Sequence, residues 1–277
     1  MKSIDTLVAD VYATLEGKGV ASPFSSIDLT ESLQNVYAKA NTIKERPPKT
    51  LYFSEVGDPC PRKLHYRVNS PQLAEGIDGN TRLKFFYGDV LETLVLSLAE
   101  AAGHTVTDRQ GRASLELSNG WKISGRIDAV VDGVLVDVKS TTKYGEEKFK
   151  NALADDPFGY KMQLGGYAIA LGHSTTGFLT IQKELGHLGW YPISVNEKEI
   201  ISGATKATEN VSKELKDLPR LSPVPQSKTS KNTKLCTSCS YCPFKKECWP
   251  EVRTFLYSNG PEFLIDVVDT PRVTELV

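Results

Sequence analysis

Nowhere in these 277 residues is there an apolar run close to the ~18–20 residues a bilayer span requires. The first residues, MKSIDTLVADVY, are too acidic and too amphipathic for a secretory signal. Both absences point to a soluble, intracellular protein with no membrane partner. Charge of one sign is lacking too, since 33 basic residues face 34 acidic ones for a net −1. Attraction to a polyanion must therefore come from local clusters. Such clusters are Lys44, Arg46 and Lys49; Arg62, Lys63 and Arg67; and Lys228, Lys231, Lys234, Lys245 and Lys246. Taken singly, each reads first as a solvated face. No internal repeat is present, 40% hydrophobic content is ordinary for a globular protein, and the length suits one large domain or one domain with appendages.

Cysteine is scarce but not scattered. Cys60 stands alone, and Cys236, Cys239, Cys242 and Cys248 fall together near the end. In a chain without a secretion signal this grouping argues for metal before disulfides. Four thiolates suit either zinc or a [4Fe–4S] cluster. The spacing of Cys239, Cys242 and Cys248 is closer to a cluster-binding triplet than to paired zinc knuckles. Cys60 would then be the fourth ligand, and Cys236 could substitute for Cys239 in an alternative set. A clasp from residue 60 to 239–248 closes a very long loop, where a metal clip constrains the unfolded chain most. Arg62 and Lys63, beside it, are candidate contacts to a nucleic-acid backbone.

The most informative stretch is GRIDAVVDGVLVDVK, Gly125 to Lys139. Asp132-Gly133 between two apolar runs signals a two-residue hairpin. With that turn, Val131 faces Val134, Val130 faces Leu135, Ala129 faces Val136, and Asp128 falls opposite Asp137. Alternation puts Leu135, Asp137 and Lys139 on one face and Val134, Val136 and Val138 on the other. Carboxylates directly opposite repel unless something positive lies between them. On an amphipathic hairpin an acid is ordinarily solvated, but one inside VLVDVK needs a partner. A divalent cation fits that requirement.

Around this stretch the periodicity predicts helices over Ile4 to Leu15, about Asp28 to Ile43, Pro61 to Tyr66, about Arg82 to Ala102, about Phe158 to Leu171 and Glu197 to Leu218. The longest carries a wide apolar stripe from Leu83 to Leu98, with Glu92 beside it. Strands are predicted at Leu51 to Val56, Thr105 to Asp108, Ala113 to Leu117, Trp121 to Val131, Val134 to Ser140, Thr176 to Gln182 and Gly189 to Val195. The mixture argues for an α/β or α+β sheet with helices packed on it. Pro219 to Lys234, with three prolines and no period, reads as a linker. The expected organisation is a helical extension at 1–50, a core at 51–218, a linker at 219–235, and a cysteine region with a tail at 236–277. Gln163 and Tyr167, four apart, share a helix face, and Gly165 and Gly166 permit close approach of backbone or ligand.

In order, SEVGDPCPRKLHY, a helical acid, GRID, DVK, QLGGY and CSYCPFKKEC resemble the RecB-type PD-(D/E)XK nucleases that carry an iron–sulfur cluster. The pattern is similar to that of CRISPR-associated adaptation nucleases and their phage-encoded exonuclease relatives, and it covers about residues 51 to 250. One departure stands out: Leu91 occupies the position where such proteins usually carry a histidine, leaving one metal ion or two open. The resemblance implies an α/β, restriction-endonuclease-like core, a central mixed sheet flanked by helices, closed by the cysteine clasp. It implies a metal-dependent DNA exonuclease acting on single-stranded ends in recombination, repair or processing, in the cytoplasm of a bacterial or phage-infected cell. Glu92, Asp128, Asp137 and the Val138 carbonyl would hold Mg2+ or Mn2+; Lys139 would contact water or phosphate; Gln163 and Tyr167 would bind DNA. Ring-shaped assembly occurs among such relatives, so a homo-oligomer or larger assembly is left open. The alternatives are a catalytically impaired nuclease-fold protein that binds DNA or serves in an assembly, and a zinc-stabilised nucleic-acid module.

Overall fold

The structure, a computed structural model, describes residues 2–18, 34, 37 and 45–276. Apart from Gln34 and Tyr37, the helix expected at 28–43 lies outside the described residues. Along the chain run α1 (Leu7–Leu15), β1 (Thr50–Tyr52), α2 (Phe53–Val56), α3 (Pro61–Asn69) and the long α4 (Gly79–Ala101). Next come β2 (Val106–Thr107), β3 (Arg112–Glu116), β4 (Lys122–Arg126), β5 (Ala129–Val131), β6 (Val134–Thr141), α5 (Lys143–Lys150) and α6 (Tyr160–Leu171). β7 (Thr176–Gln182), β8 (His187–Ile193) and α7 (Glu197–Ser212) follow. The last part holds β9 (Val224–Pro225), β10 (Thr233–Lys234), α8 (Thr237–Ser240), α9 (Lys245–Cys248), β11 (Arg253–Tyr257), β12 (Gly260–Leu264) and β13 (Thr274–Leu276). No helix among the described residues is long and apolar enough to cross a membrane.

The chain divides into two units. The first comprises Met1–Gly57, Asp78–Asp156 and Tyr160–Ala204. Its main sheet is mixed, in the order β2-β5-β6-β7-β8, with β6 and β7 parallel and the other pairs antiparallel. A parallel pair needs a crossover, and α5 and α6 supply it between β6 and β7. On one face of the sheet Leu7 and Val11 of α1 and Val95, Leu96 and Ala99 of α4 pack over Ala129, Val131, Val136, Val138, Leu179 and Ile181. Every residue of β7 is buried, as expected for a strand covered on both faces. A smaller sheet, in the order β1-β4-β3, pairs β1 parallel and β3 antiparallel to β4.

Several expectations are corrected. The strand at 51–56 is only β1; at Phe53 the chain turns helical, because the Glu55 carboxylate accepts from the Tyr52 N–H at 3.1 Å and closes the first turn of α2. The single strand at 121–131 is two strands in two sheets, broken at Ile127 and Asp128. Ile127 N–H bonds the Gly111 carbonyl and stays with β3, whereas Ala129 already pairs with Val136 of β6. The long helix starts earlier than Arg82, where Asp78 caps Thr81 N–H at 2.7 Å. Its apolar stripe is buried only in the C-terminal half, for Leu83 is 64% and Tyr87 44% exposed. Helix α5 lies outside the helices that the periodicity predicts. Thr142 caps it through Gly145 N–H at 3.1 Å, and its Glu146 is buried, accepting from the hydroxyls of Thr141, Thr180 and Tyr191.

The second unit comprises Asp58–Ile77, Pro157–Gly159 and Thr205–Val277. Tyr66 of α3 stacks on Phe244, ring centroids 5.3 Å apart, within a cluster holding Leu235, Cys239, Cys242, Cys248 and Trp249. Its sheet runs β13-β11-β12-β10-β9. The segment 219–234 thus contributes two strands, and buried Asn232 ties it to the tail by accepting from Val268 and Asp269 N–H. The helix expected to reach Leu218 ends at Ser212, followed by a short 3-10 turn at Leu215–Asp217.

Candidate active site

The hairpin has the expected register. Asp132 and Gly133 both lie in the left-handed region, φ +51° and +84°, as a type I′ turn requires. Val131 pairs with Val134, Val130 with Leu135 and Ala129 with Val136. In a two-residue hairpin the hydrogen-bonded pairs alternate, so a continued ladder would join Val138 N–H to the Ile127 carbonyl. The break at Ile127 removes that acceptor, and the Asp128 carboxylate replaces it, taking the Val138 N–H at 2.7 Å. One acid is thereby fastened across from the other.

Asp137 is 2% exposed on an interior strand, and the ammonium of Lys139, on the same face of β6, lies 2.5 Å from its Oδ2. Lys139 also sits over the Tyr160 ring, 5.0 Å from its centroid. Burial, then the charges of Asp137 and Glu92, push the Asp128 carboxyl well above the usual range, against Lys139 and the Val138 N–H. Burial works to lower the Lys139 ammonium, but Asp137 and Asp128 outweigh it and hold the pKa above its ordinary value. Two acids crowd one point, with one lysine paired to Asp137.

Glu92, half-buried on α4, contributes the third charge. Its neighbour Leu91 is buried in the core over β5 and β6, so the residue at the departed histidine position packs rather than ligates. Gln110, which no motif or periodicity marks, links the two sides. Its side-chain amide donates to Glu92 at 2.7 Å, and its backbone N–H donates to the Asp128 carbonyl at 3.0 Å. It does so at φ +55°, a backbone region that costs a non-glycine residue energy. Nothing in TDRQG announces this.

Gln163 and Tyr167 share a face of α6 as expected and hydrogen-bond to each other. Tyr167 is only 4% exposed, its ring 4.6 Å from that of Phe53. Burial pushes its phenol up to about 12, with Asp137 and Asp128 adding to the rise. The space left by Gly166 is filled by Phe53, which an added Cβ would meet at 2.6 Å, and Gly125 gives room to the Tyr167 hydroxyl at 2.7 Å. The close approach these glycines permit is of protein, not ligand.

A model of the PD-(D/E)XK nuclease superfamily matches residues 70–249, about two thirds of the chain. The chain belongs to the PD-(D/E)XK nuclease superfamily. No curated protein matches it. Among solved structures, one described as SSO0001 is similar at 17% identity and TM-score 0.48, covering 78% of this chain and 94% of that one. An alkaline exonuclease from Laribacter hongkongensis, LHK-Exo, is similar at 14% identity and TM-score 0.44, covering 66% and 94%. LHK-Exo in complex with dAMP gives 14% and 0.39, covering 59% and 90%. These likenesses are distant.

PD-(D/E)XK nucleases typically work with Mg2+ or Mn2+. The donors here fit such an ion in kind, hard carboxylate oxygens crowded by like charge. They are not drawn together as a ready cage: among the described residues no three of His, Cys, Asp and Glu form a group that could hold a metal ion. Lys139 neutralises Asp137 instead, and Glu92 is turned to Gln110.

In the second unit Cys60, Cys239, Cys242 and Cys248 line one pocket with Arg62, Lys63, Tyr66, Phe244, Lys245 and Trp249. All five cysteines are free thiols. Burial pushes Cys60 up to about 11 and raises Cys239 and Cys242 as well. Half-buried Cys236 stands outside this set and contacts Cys239. These thiols too are not gathered as a metal group. Lys63 is held by Asp58 at 2.5 Å and Arg62 donates to the Leu218 carbonyl at 3.3 Å, so both expected backbone contacts are tied to their own unit.

Proposed function

We propose that this chain hydrolyses phosphodiester bonds of DNA with Mg2+ or Mn2+, shortening single-stranded ends as an exonuclease. The observation that carries the reading is the convergence of Asp128, Asp137 and Lys139 at one end of the central hairpin, with the charge of Glu92 reaching Asp128. In this reading Asp128 and Asp137 are the acids, and Asp137-Val138-Lys139 the acid-x-lysine run, of the superfamily's name. Asp128, Asp137, Glu92 and the Val138 carbonyl would hold the ion. When bound, a divalent ion activates water and offsets charge on the phosphate.

The remaining roles belong to the chain itself. Lys139, its charge secured by the two carboxylates, would hold the attacking water or a phosphate oxygen. Gln163 meets the substrate, and buried Tyr167 acts through it. Gln110 keeps Glu92 and Asp128 at a fixed spacing. Exonuclease action on single strands is supported by the RecB-type motif order.

The same reading gives Cys60, Cys239, Cys242 and Cys248 a [4Fe–4S] cluster, with zinc as the alternative. Its support is the shared pocket of the four thiols, where the Lys63 charge favours the Cys242 thiolate against burial. The test of the nuclease reading is wild-type protein on labelled single- and double-stranded DNA, stripped of metal and then supplied with Mg2+ or Mn2+. Degradation that returns with the metal supports it; inert protein under every condition overturns it.

A further inference from the structure

Strands β3 and β4 place Arg112 directly opposite Arg126. Cβ atoms so placed are about 4.5–5.5 Å apart, and like charges there destabilise the pair. Both side chains are exposed, and among the described residues neither guanidinium has a hydrogen-bond or ion-pair partner. Other arginines are answered: Arg46 is bidentate on Glu55 and Arg253 on Glu275.

The rows of this ribbon are graded. Glu116 stands opposite Lys122, Ser114 opposite Ser124, and Arg112 opposite Arg126. Alternation puts all six on the outer face, with buried Ala113 and Ile123 on the inner one. The far end is neutral in sum, the middle offers two hydroxyls, and the near end carries two uncompensated charges. That near end runs into the carboxylates. Arg126 precedes Asp128 by two residues, so their Cα atoms are no more than about 7 Å apart. On the other strand, Gly111 and Gln110 just before Arg112 bond Ile127 N–H and the Asp128 carbonyl.

We infer that Arg112 and Arg126 form a clamp for a backbone phosphodiester of the nucleic-acid strand beside the one cut, with Ser114 and Ser124 donating to the next phosphate. The inference rests on the nuclease reading. A phosphate between the guanidinium forks accepts charge-assisted hydrogen bonds from both and removes their repulsion. Such contacts fix the register of the strand without reading its sequence. The clamp would hold the strand while the carboxylate centre acts on the adjoining bond.

The test is the binding of a fluorescein-labelled single-stranded oligonucleotide, with Ca2+ in place of Mg2+, followed by anisotropy over a range of KCl. The variants are Arg112→Gln/Arg126→Gln and Arg112→Lys/Arg126→Lys. The glutamine pair should bind about tenfold more weakly at low salt. Its slope of log K against log salt should be smaller by about 0.7, the value for one neutralised phosphate on a single strand. The lysine pair should keep the slope, and the unfolding midpoint of the glutamine pair should not fall. Wild-type binding with an unchanged slope and affinity in the glutamine pair overturns the clamp alone. A wild type that neither binds nor degrades DNA overturns the nuclease reading and the clamp with it.

Discussion

The side-chain amide of Gln110 donates to the Glu92 carboxylate at 2.7 Å while its backbone N–H holds the Asp128 carbonyl. One residue thereby sets the distance between the helical acid and the hairpin acids. Gln110→Ala should lower activity by about 10–100-fold, the usual cost of losing a partner that orients a metal ligand. Added Mg2+ should restore part of the loss, and the unfolding midpoint should barely move. Full activity at low Mg2+ would rule this role out.

Asp128→Asn should separate stability from activity. The carboxylate is disfavoured by burial and by Asp137 and Glu92, yet an amide oxygen still accepts the Val138 N–H. Metal-free Asp128→Asn should unfold at a higher temperature than wild type, by roughly 1 kcal/mol of stability, and should be inactive. Thermal melts in EDTA check the first outcome, and a lower midpoint contradicts it.

Gly166→Ala tests the packing under Tyr167. Alanine favours the helix by about 1 kcal/mol over glycine, but its Cβ would meet Phe53 at 2.6 Å. Overpacking should win, with a net loss of about 1–2 kcal/mol in urea unfolding and a displaced Tyr167. Unchanged stability would mean that the Phe53 ring yields freely.

The hairpin was legible because Asp132-Gly133 fixes both turn type and register, and alternation then dictates which residues meet. The break at Ile127 and Asp128 was not, since GWKISGRIDAVV reads as one strand and only the competing partners, Gly111 on one side and Val136 on the other, divide it. Helix α5 escaped because KYGEEKFK has little apolar content; Thr142 and Gly145 at its start were the available signal. Gln110 acts through a left-handed backbone in a loop, where no period points. In the terminal sheet β9, β10 and β13 are too short to show alternation, and β11 and β12, with RTFLY and GPEFL, do not alternate.

For the cysteines, anaerobic purification should yield brown protein with visible absorbance and about four irons per chain, as for one [4Fe–4S] cluster. Cys242→Ser should lose the colour, and Cys236→Ser should keep it, since Cys236 is outside the pocket of the other four. Colourless protein with stoichiometric zinc would favour the zinc alternative.

The central claim is that Asp137 and its neighbours cut DNA at a metal-dependent site. The most direct measurement is digestion of end-labelled single-stranded DNA with Mg2+ by wild type and by Asp137→Ala, with unfolding midpoints measured alongside. Progressive shortening by wild type, abolished in EDTA and in a folded Asp137→Ala, is the predicted result. Equal digestion by Asp137→Ala, or intact DNA with wild type and metal, would contradict the account.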